Sequence, residues 1–430
     1  MTVIGMSGVA GNIGSEITPE VALSIGRAIG SRYDDVVVSR DADDCGMMIV
    51  NAIAAGLSSM GSNVADIGIC PLPTSVRSFS KGACGISVTA PMGSSDYRWI
   101  RFTNNDGSSF SPSQIDEIRS AIGSNSVPYV KHNSVGPVSK ENIPLDAHAE
   151  DIINSVGNLD CPAIIDCASD STSLVTPLIF AEMGAEVTAM NSVIGKGLTG
   201  RYAGRSNLRD MIKHVRSEPG SIGITHNSSG SVVSVIDESG RPLSGGLLMT
   251  LLASYLKIRS VAVSMNTTMA IDEIVGKVIR TNTGDDHLAD AMRSNDISFG
   301  GEPSGTFIFG NASFCPDGIY AAVLAAKIAS GGSLRQAVDE IPNYPSGNMD
   351  VKFTGDREDI IKRLSERMTS ADCDALITAD GWRAELSDGW YYIRMSNFEN
   401  KIRIMAEARD KVYMNCLLDI AEDLVSSCIR

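Results

Sequence analysis

The residues best suited to chemistry gather in a few short stretches. Arg394-Met395-Ser396-Asn397-Phe398-Glu399-Asn400-Lys401-Ile402-Arg403 offers two arginines, a lysine and a hydroxyl close together. Guanidinium forks, a hydroxyl and turn amides suit an oxyanion such as a phosphate dianion. Gly300-Gly301-Glu302-Pro303-Ser304-Gly305-Thr306 carries a carboxylate acceptor and a hydroxyl that both donates and accepts. Upstream of it, Gly284-Asp285-Asp286-His287 adds two acids and an imidazole. His226 is followed by Asn227-Ser228-Ser229-Gly230-Ser231-Val232, a polar turn whose oxygens are all neutral. After Thr89-Ala90, the run Pro91-Met92-Gly93-Ser94-Ser95 contains two hydroxyls, at Ser94 and Ser95. Small hydroxyls beside glycine are most often turn formers, so the nucleophile reading of these two is the weaker one.

These stretches need scaffolds, and the flanking sequence supplies them. Thr18-Pro19-Glu20 starts a helix with a hydroxyl cap and proline in the first turn, and Val21, Ile25, Ala28 and Ile29 form its buried stripe. Val36-Val37-Val38 reads as a strand ending at Ser39-Arg40-Asp41. A helix over 46–60 then buries Ile49, Val50, Ile53 and Leu57, and a strand follows over 64–68. The theme recurs from Ala163-Ile164-Ile165-Asp166-Cys167 through a Ser/Thr-rich turn and a helix over 174–183 to a strand over 185–187. It recurs again from Val261-Ala262-Val263 to Lys277-Val278-Ile279-Arg280. Strands alternating with helices of this length argue parallel sheets covered on both faces. The last eighty or so residues differ. A helix over 357–368 precedes strands over 375–378, 382–386, 390–394 and 402–407, with Ser387-Asp388-Gly389 as a tight hairpin turn. A closing helix runs over 411–427. Pro342, Pro345, Ser346 and Gly347 read as a linker before this part.

Composition narrows the class. Apolar residues make up 43% of the 430 residues, enough to bury several cores. A net charge of −15 disfavours nucleic acid and anionic membranes as partners. No apolar run is long enough for a transmembrane helix, and the start lacks the pattern of a signal peptide. Nine scattered cysteines without a Cys-x-x-Cys pair suit reduced thiols, so a cytoplasmic location is expected.

Taken together and in order, the motifs resemble those of the α-D-phosphohexomutases, the phosphoglucomutase/phosphomannomutase family. The resemblance covers essentially the whole chain. Gly5-Met6-Ser7-Gly8-Val9-Ala10-Gly11 is similar to the family's Gly-Thr-Ser-Gly-Ile-Arg-Gly, with Ala10 at the arginine. The family's Thr-Ala-Ser-His-Asn-Pro frame is kept at Thr89, Ala90, Tyr97, Ile100 and Phe102, but Pro91 stands at the phosphoserine position. Asn227, Ser229 and Ser231 stand at the three aspartates of its metal loop, and Val232 at the arginine. The sugar loop around Glu302 and Ser304 is nearly intact, with Thr306 at a histidine. Asp286 stands at a lysine, whereas His287 is retained. Arg394, Ser396, Glu399 and Arg403 of the phosphate loop are retained, with Asn397 and Phe398 at its glycine and threonine.

The resemblance implies an α/β fold: three similar mixed α/β domains around a central cleft, at 1–150, 151–245 and 246–345. A C-terminal α+β domain, an antiparallel sheet with helices, follows at 346–430. It implies phosphosugar binding by Glu302, Ser304, His287, Arg394, Ser396, Asn397, Lys401 and Arg403. The missing groups are those that serve transfer. Proline cannot carry a phosphoryl group, and three neutral oxygens bring no charge to hold Mg²⁺. The leading expectation is therefore a phosphohexomutase-like protein of carbohydrate metabolism, catalytically impaired, that keeps phosphosugar or anion binding. It takes no cofactor or metal. Two other readings stay open. One is an active phosphomannomutase or phosphoglucomutase using Ser94 or Ser95 with an unconventional Mg²⁺ site. The other is a structural or regulatory subunit, in a homo-oligomer or beside an active paralogue.

Overall fold

The computed structural model describes residues 3–5, 8–79, 82–90, 96–124, 128–195, 208–396 and 399–429. They form two compact units, Met1–Gly245 with Ser304–Ala337, and Gly246–Pro303 with Val338–Arg430.

In the first unit, one sheet orders its strands Val3–Gly5, Gly8–Asn12, Tyr97–Asn104, Cys84–Thr89, Asp35–Arg40, Asn63–Ile69 and Val138–Lys140. Asp35–Arg40 pairs in parallel with both Asn63–Ile69 and Cys84–Thr89, whereas Cys84–Thr89 pairs antiparallel with Tyr97–Asn104, Thr89 facing Trp99. The helices Pro19–Gly30 and Asp44–Ser58 pack on it through Ile25, Ile29, Ile49, Ile53 and Leu57. Glycine makes their crossing close: a Cβ on Gly26 would lie 2.2 Å from the Ile53 carbonyl oxygen, and one on Gly56 2.3 Å from that of Leu23. Thr18 caps the first helix, its hydroxyl accepting from the Val21 amide.

A second sheet in this unit orders Val233–Ile236, Ile222–His226, Ala163–Asp166 and Val187–Met190. It is parallel except for the hairpin of Ile222–His226 with Val233–Ile236. The polar turn 227–232 is the tip of that hairpin. Thr306–Phe309 and Ser313–Pro316 form a further hairpin.

The second unit holds the parallel strands Lys277–Thr281, Ser260–Ser264 and Phe299–Glu302. It also holds an antiparallel sheet ordered Ser346–Lys352, Lys401–Ala408, Gly389–Met395, Trp382–Leu386 and Ala375–Ile377. Arg357–Thr369 and Lys411–Ile429 pack on that sheet through Ile360, Leu364, Met368, Met414, Leu417 and Val425. Leu386 pairs with Gly389, so Ser387 and Asp388 make the two-residue turn expected.

The fold class agrees with the reading from sequence: mixed α/β sheets, then an antiparallel sheet with helices. One local expectation is wrong. Ser346 and Gly347 are not linker but the start of an edge strand, Ser346–Lys352, paired along its length with Lys401–Ala408. Its burial alternates strictly, but its hydrophobic signal is weak because Gly347, whose position abuts Leu418 and Met414, takes one inward place and leaves only Met349 and Val351 apolar.

Candidate functional site

The anion-type loop is built on two neighbouring strands. Arg394 on Gly389–Met395 lies directly opposite Arg403 on Lys401–Ala408. Residues paired in this way project from the same face, as does Lys401 two positions before Arg403. Like charges opposite one another repel, and acids around them compensate. Asp380 meets Arg394 Nε at 3.1 Å, Glu399 meets Lys401 Nζ at 2.7 Å and Arg403 at 3.7 Å, and Asp350 meets Lys401 at 3.0 Å. Those acids lift the Lys401 ammonium above its ordinary pKa. The Ser396 hydroxyl accepts from the Glu399 amide.

The same unit ties this loop to Glu302. Glu302 Oε1 accepts from the Gly284 amide at 2.7 Å, and Asp380 Oδ2 accepts from the Thr283 amide at 3.2 Å. Asp380 is in turn the partner of Arg394, and the Tyr392 hydroxyl donates to its carbonyl. Glu302, 9% exposed, and Arg394 are thus linked through two successive backbone amides. Gly284 adopts φ +133°, a conformation open to glycine alone, which lets both amides point to carboxylates. His287, in the first turn of helix Asp285–Ser294, lies 3.5 Å from the side chain of Asn282 in the preceding loop. Asp286 is buried, and its Oδ2 has no hydrogen-bond partner. Burial first, then the neighbouring Asp285, raises its pKa, against the pull of His287.

Of the residues the sequence singled out, Glu302, His287, Arg394, Ser396, Lys401 and Arg403 fall in this unit. Ser304 falls in the other, where its hydroxyl lies 3.0 Å from that of Thr306. Ser94, Ser95 and Asn397 lie outside the described residues, as do Pro91, Met92 and Phe398. Asp380 and the amides of Thr283 and Gly284 were missed. Only the glycine at 284 offered a signal.

In the first unit the turn 227–232 closes on itself. Asn227 Nδ2 donates to Ser229 Oγ at 2.9 Å and Ser231 Oγ at 3.2 Å, the two hydroxyls lie 2.8 Å apart, and Asn227 Oδ1 accepts from the Val232 amide. All three side chains are buried. The turn rests on Gly305, whose φ is +92°. A Cβ there would meet the Val233 carbonyl oxygen at 2.2 Å. His226, just before the turn, is wholly buried with neither ring nitrogen hydrogen-bonded, and burial lowers its pKa to about 4. It is a neutral imidazole at pH 7.

Ala90 directly follows the strand Cys84–Thr89. Its amide donates to Asp41 Oδ2 at 2.8 Å, and its carbonyl accepts from Ser228 Oγ at 3.1 Å. Asp41 and Arg98 are both wholly buried, 3.7 Å apart, and Arg98 also meets Asp43 at 2.8 Å. Sequence reading placed Asp41 only as a strand end and passed over Arg98.

Comparison with known proteins gives this arrangement a class. A sequence model described as phosphoglucomutase/phosphomannomutase, alpha/beta/alpha domain I, matches residues 1–127, and that of alpha/beta/alpha domain III matches residues 244–344. A probable phosphoglucosamine mutase of Methanocella arvoryzae is 32% identical over 439 residues, spanning 100% of this chain and 99% of the relative. A phosphoglucomutase/phosphomannomutase family protein of Burkholderia thailandensis superposes with a TM-score of 0.87 at 22% identity, covering 99% of this chain and 97% of the other. The N-acetylphosphoglucosamine mutase of Aspergillus fumigatus, solved with GlcNAc-6P and magnesium, has a TM-score of 0.60 at 13% identity, covering 100% and 96%. The chain belongs to the α-D-phosphohexomutase family.

The expectation that the protein takes no cofactor is overturned by these findings. A relative matching along the full length bears a mutase's name, and a protein of the same fold was solved with magnesium. The residues at the family's metal loop nonetheless do not fit that ion. Asn227, Ser229 and Ser231 spend their polar groups on one another, and none is anionic. Among the described residues no cluster of three or more His, Cys, Asp or Glu is arranged to hold a metal. Among them, too, no helix is long and apolar enough to cross a membrane.

Proposed function

We propose that the protein binds a hexosamine phosphate, and that phosphoryl transfer at the family's usual positions is impaired. The observation that carries the reading is the linkage of Glu302 to Arg394 through the amides of Gly284 and Thr283. It fixes a hydroxyl-accepting carboxylate relative to a cationic face in one unit. Arg394, Lys401 and Arg403 take the phosphate, with Ser396 and Asn397. Glu302 and His287 take the sugar. The name borne by the relatives supports a hexosamine over a plain hexose. Impairment rests on Pro91, which offers no oxygen to phosphorylate, and on the self-satisfied turn at 227–232. The four-domain division at 150, 245 and 345 and a cytoplasmic location belong to the same reading.

A second reading is an active phosphoglucosamine mutase using Ser94 or Ser95. The full-length similarity to a protein of that name favours it. One experiment separates the two. Titrate the protein calorimetrically with glucosamine 6-phosphate, and assay its conversion to the 1-phosphate with the 1,6-bisphosphate and Mg²⁺. Saturable binding, weakened in Glu302→Gln, without turnover is the expected result. Turnover that disappears in Ser94→Ala or Ser95→Ala establishes the second reading. Absence of both binding and turnover defeats both.

A further inference from the structure

We propose that Asp170 is a positioning residue for the end of strand Cys84–Thr89. Through Oδ1, and with the charge removed by a proton on Oδ2, it closes a ring of hydrogen bonds that holds both the amide and the carbonyl of Ala90, the residue leading into 91–95.

The ring can be followed atom by atom. Asp170 Oδ1 accepts from the Ala42 amide at 2.9 Å and the Ser171 amide at 2.7 Å. Ala42 adjoins Asp41, whose Oδ2 accepts from the Ala90 amide at 2.8 Å. The Ala90 carbonyl accepts from Ser228 Oγ, and the Ser228 carbonyl accepts from Ser171 Oγ at 2.6 Å. Ser171 returns the path to Asp170. Every side chain in the ring is buried, Asp41, Asp170 and Ser171 wholly so.

Two features set Asp170 apart within this ring. The turn that delivers it runs through Ala168 and Ser169 at φ +53° and +56°, a left-handed conformation that side chains rarely adopt. Asp166 Oδ1 braces that turn by accepting from the Ala168 amide. Its second oxygen, Oδ2, is buried and has no hydrogen-bond partner. A bare carboxylate oxygen in such a place is costly, whereas a carboxyl O–H removes the charge.

Charge counting reaches the same end. The groups facing the pair are Arg98 from the neighbouring strand, Asp43 and Cys45 from the start of helix Asp44–Ser58, and Arg40, which donates to the Asp41 carbonyl. Asp43 reaches water and shares Arg98. Two guanidiniums, Arg98 and Arg40, thus face three carboxylates, two of them wholly buried, and one proton restores balance. Burial chiefly, and Asp41 next, raise Asp170 to about 7. Burial raises Asp41 to about 6 against the pull of Arg98. Above neutrality both are anionic, their repulsion acts across the ring, and the hold on Ala90 loosens.

The test uses the full chain with Asp170→Asn, which keeps the accepting oxygen without the charge, and Asp170→Ala, which removes both. Infrared difference spectra should show a protonated-carboxyl band at pH 6 in the wild type that is gone at pH 9 and is reduced in Asp170→Asn, where only Asp41 remains to supply it. Hydrogen exchange of a peptide spanning 84–90, corrected for the intrinsic pH dependence of exchange, should accelerate about tenfold in the wild type from pH 6 to pH 9, the change that a loosening of about 1.4 kcal/mol produces. Asp170→Asn should stay protected at both, Asp170→Ala at neither, and strand Lys401–Ala408 should not change. Identical infrared spectra for the wild type and Asp170→Asn overturn the proposal. So does an Asn variant as unprotected as the Ala variant. Neither readout uses substrate, so a failure of phosphosugar binding would sink the proposed function and leave this inference to stand or fall alone.

Discussion

Placing a carboxylate back into the 227–232 turn tests how that turn is built. Ser229 is 4% exposed and bonded to Asn227 and Ser231. The cost of an aspartate there can be gauged from two buried in the same unit, Asp41 at about 6 and Asp170 at about 7, each from an ordinary 3.8. Shifts of about two to three units correspond to about 3–4 kcal/mol at pH 8. The Asn227 amide, donating to the new carboxylate, offsets about 1 kcal/mol. Ser229→Asp should therefore lose about 2–3 kcal/mol at pH 8, a large part of the ~5–15 kcal/mol that holds a typical protein folded. The sign follows from linkage. A group whose folded pKa is raised costs nothing below its unfolded pKa and costs progressively more as pH rises through the folded value. The variant should thus approach the stability of the isosteric neutral control, Ser229→Asn, at pH 4 and fall below it at pH 8. Urea unfolding of both variants at the two pH values reads the difference. An aspartate as well tolerated as asparagine at pH 8 would refute the claim that the turn is closed against charge.

Three further outcomes are expected. His226, neutral with its pKa lowered from 6.5 to about 4, binds a proton in the unfolded chain first, so stability should fall by about 3 kcal/mol as pH drops from 6.5 to 4, and His226→Leu should flatten that limb in pH-dependent unfolding. Arg383, wholly buried, donates to the carbonyls of Met265 at 2.6 Å and Thr267 at 2.8 Å and lies 3.9 Å over the Trp390 ring. Arg383→Met should cost about 3–5 kcal/mol in urea unfolding, because both buried carbonyls lose their donor and Glu385 keeps only Arg280. Arg394→Met should weaken glucosamine 6-phosphate binding about tenfold or more in calorimetry, since a charged hydrogen bond is worth about 1.5–3 kcal/mol, while Arg32→Met, on a surface pair, should leave it unchanged.

Much of the scaffold was written in local pattern. The capped helix at Pro19–Gly30, the strands Asp35–Arg40 and Asn63–Ile69 and the Ser387-Asp388 turn each follow from spacing or turn chemistry within a few residues. The motif residues were equally visible, because loop sequences carry their chemistry openly. Their partners were not. Asp41 and Asp170 come together only when separate strands are stacked into one unit, and nothing in Ser39-Arg40-Asp41 or in a Ser/Thr-rich turn points to the other. Asp380 likewise reaches both Arg394 and Thr283 through the fold. Ser346–Lys352 was hidden for a different reason: an edge strand with prolines just before it and a glycine at one of its inward places carries little hydrophobic signal.

The arginines facing one another at 394 and 403 have an energetic meaning for the empty protein. What Asp380 and Glu399 leave uncompensated of their opposition is a small debt, well under about 1 kcal/mol, carried by the sheet before any ligand arrives. A dianion settling between them would discharge that strain as well as form its own bonds. Part of the affinity would then be stored beforehand in the resting fold, and high salt, by screening the repulsion, would steady the vacant form while eroding the advantage of the filled one.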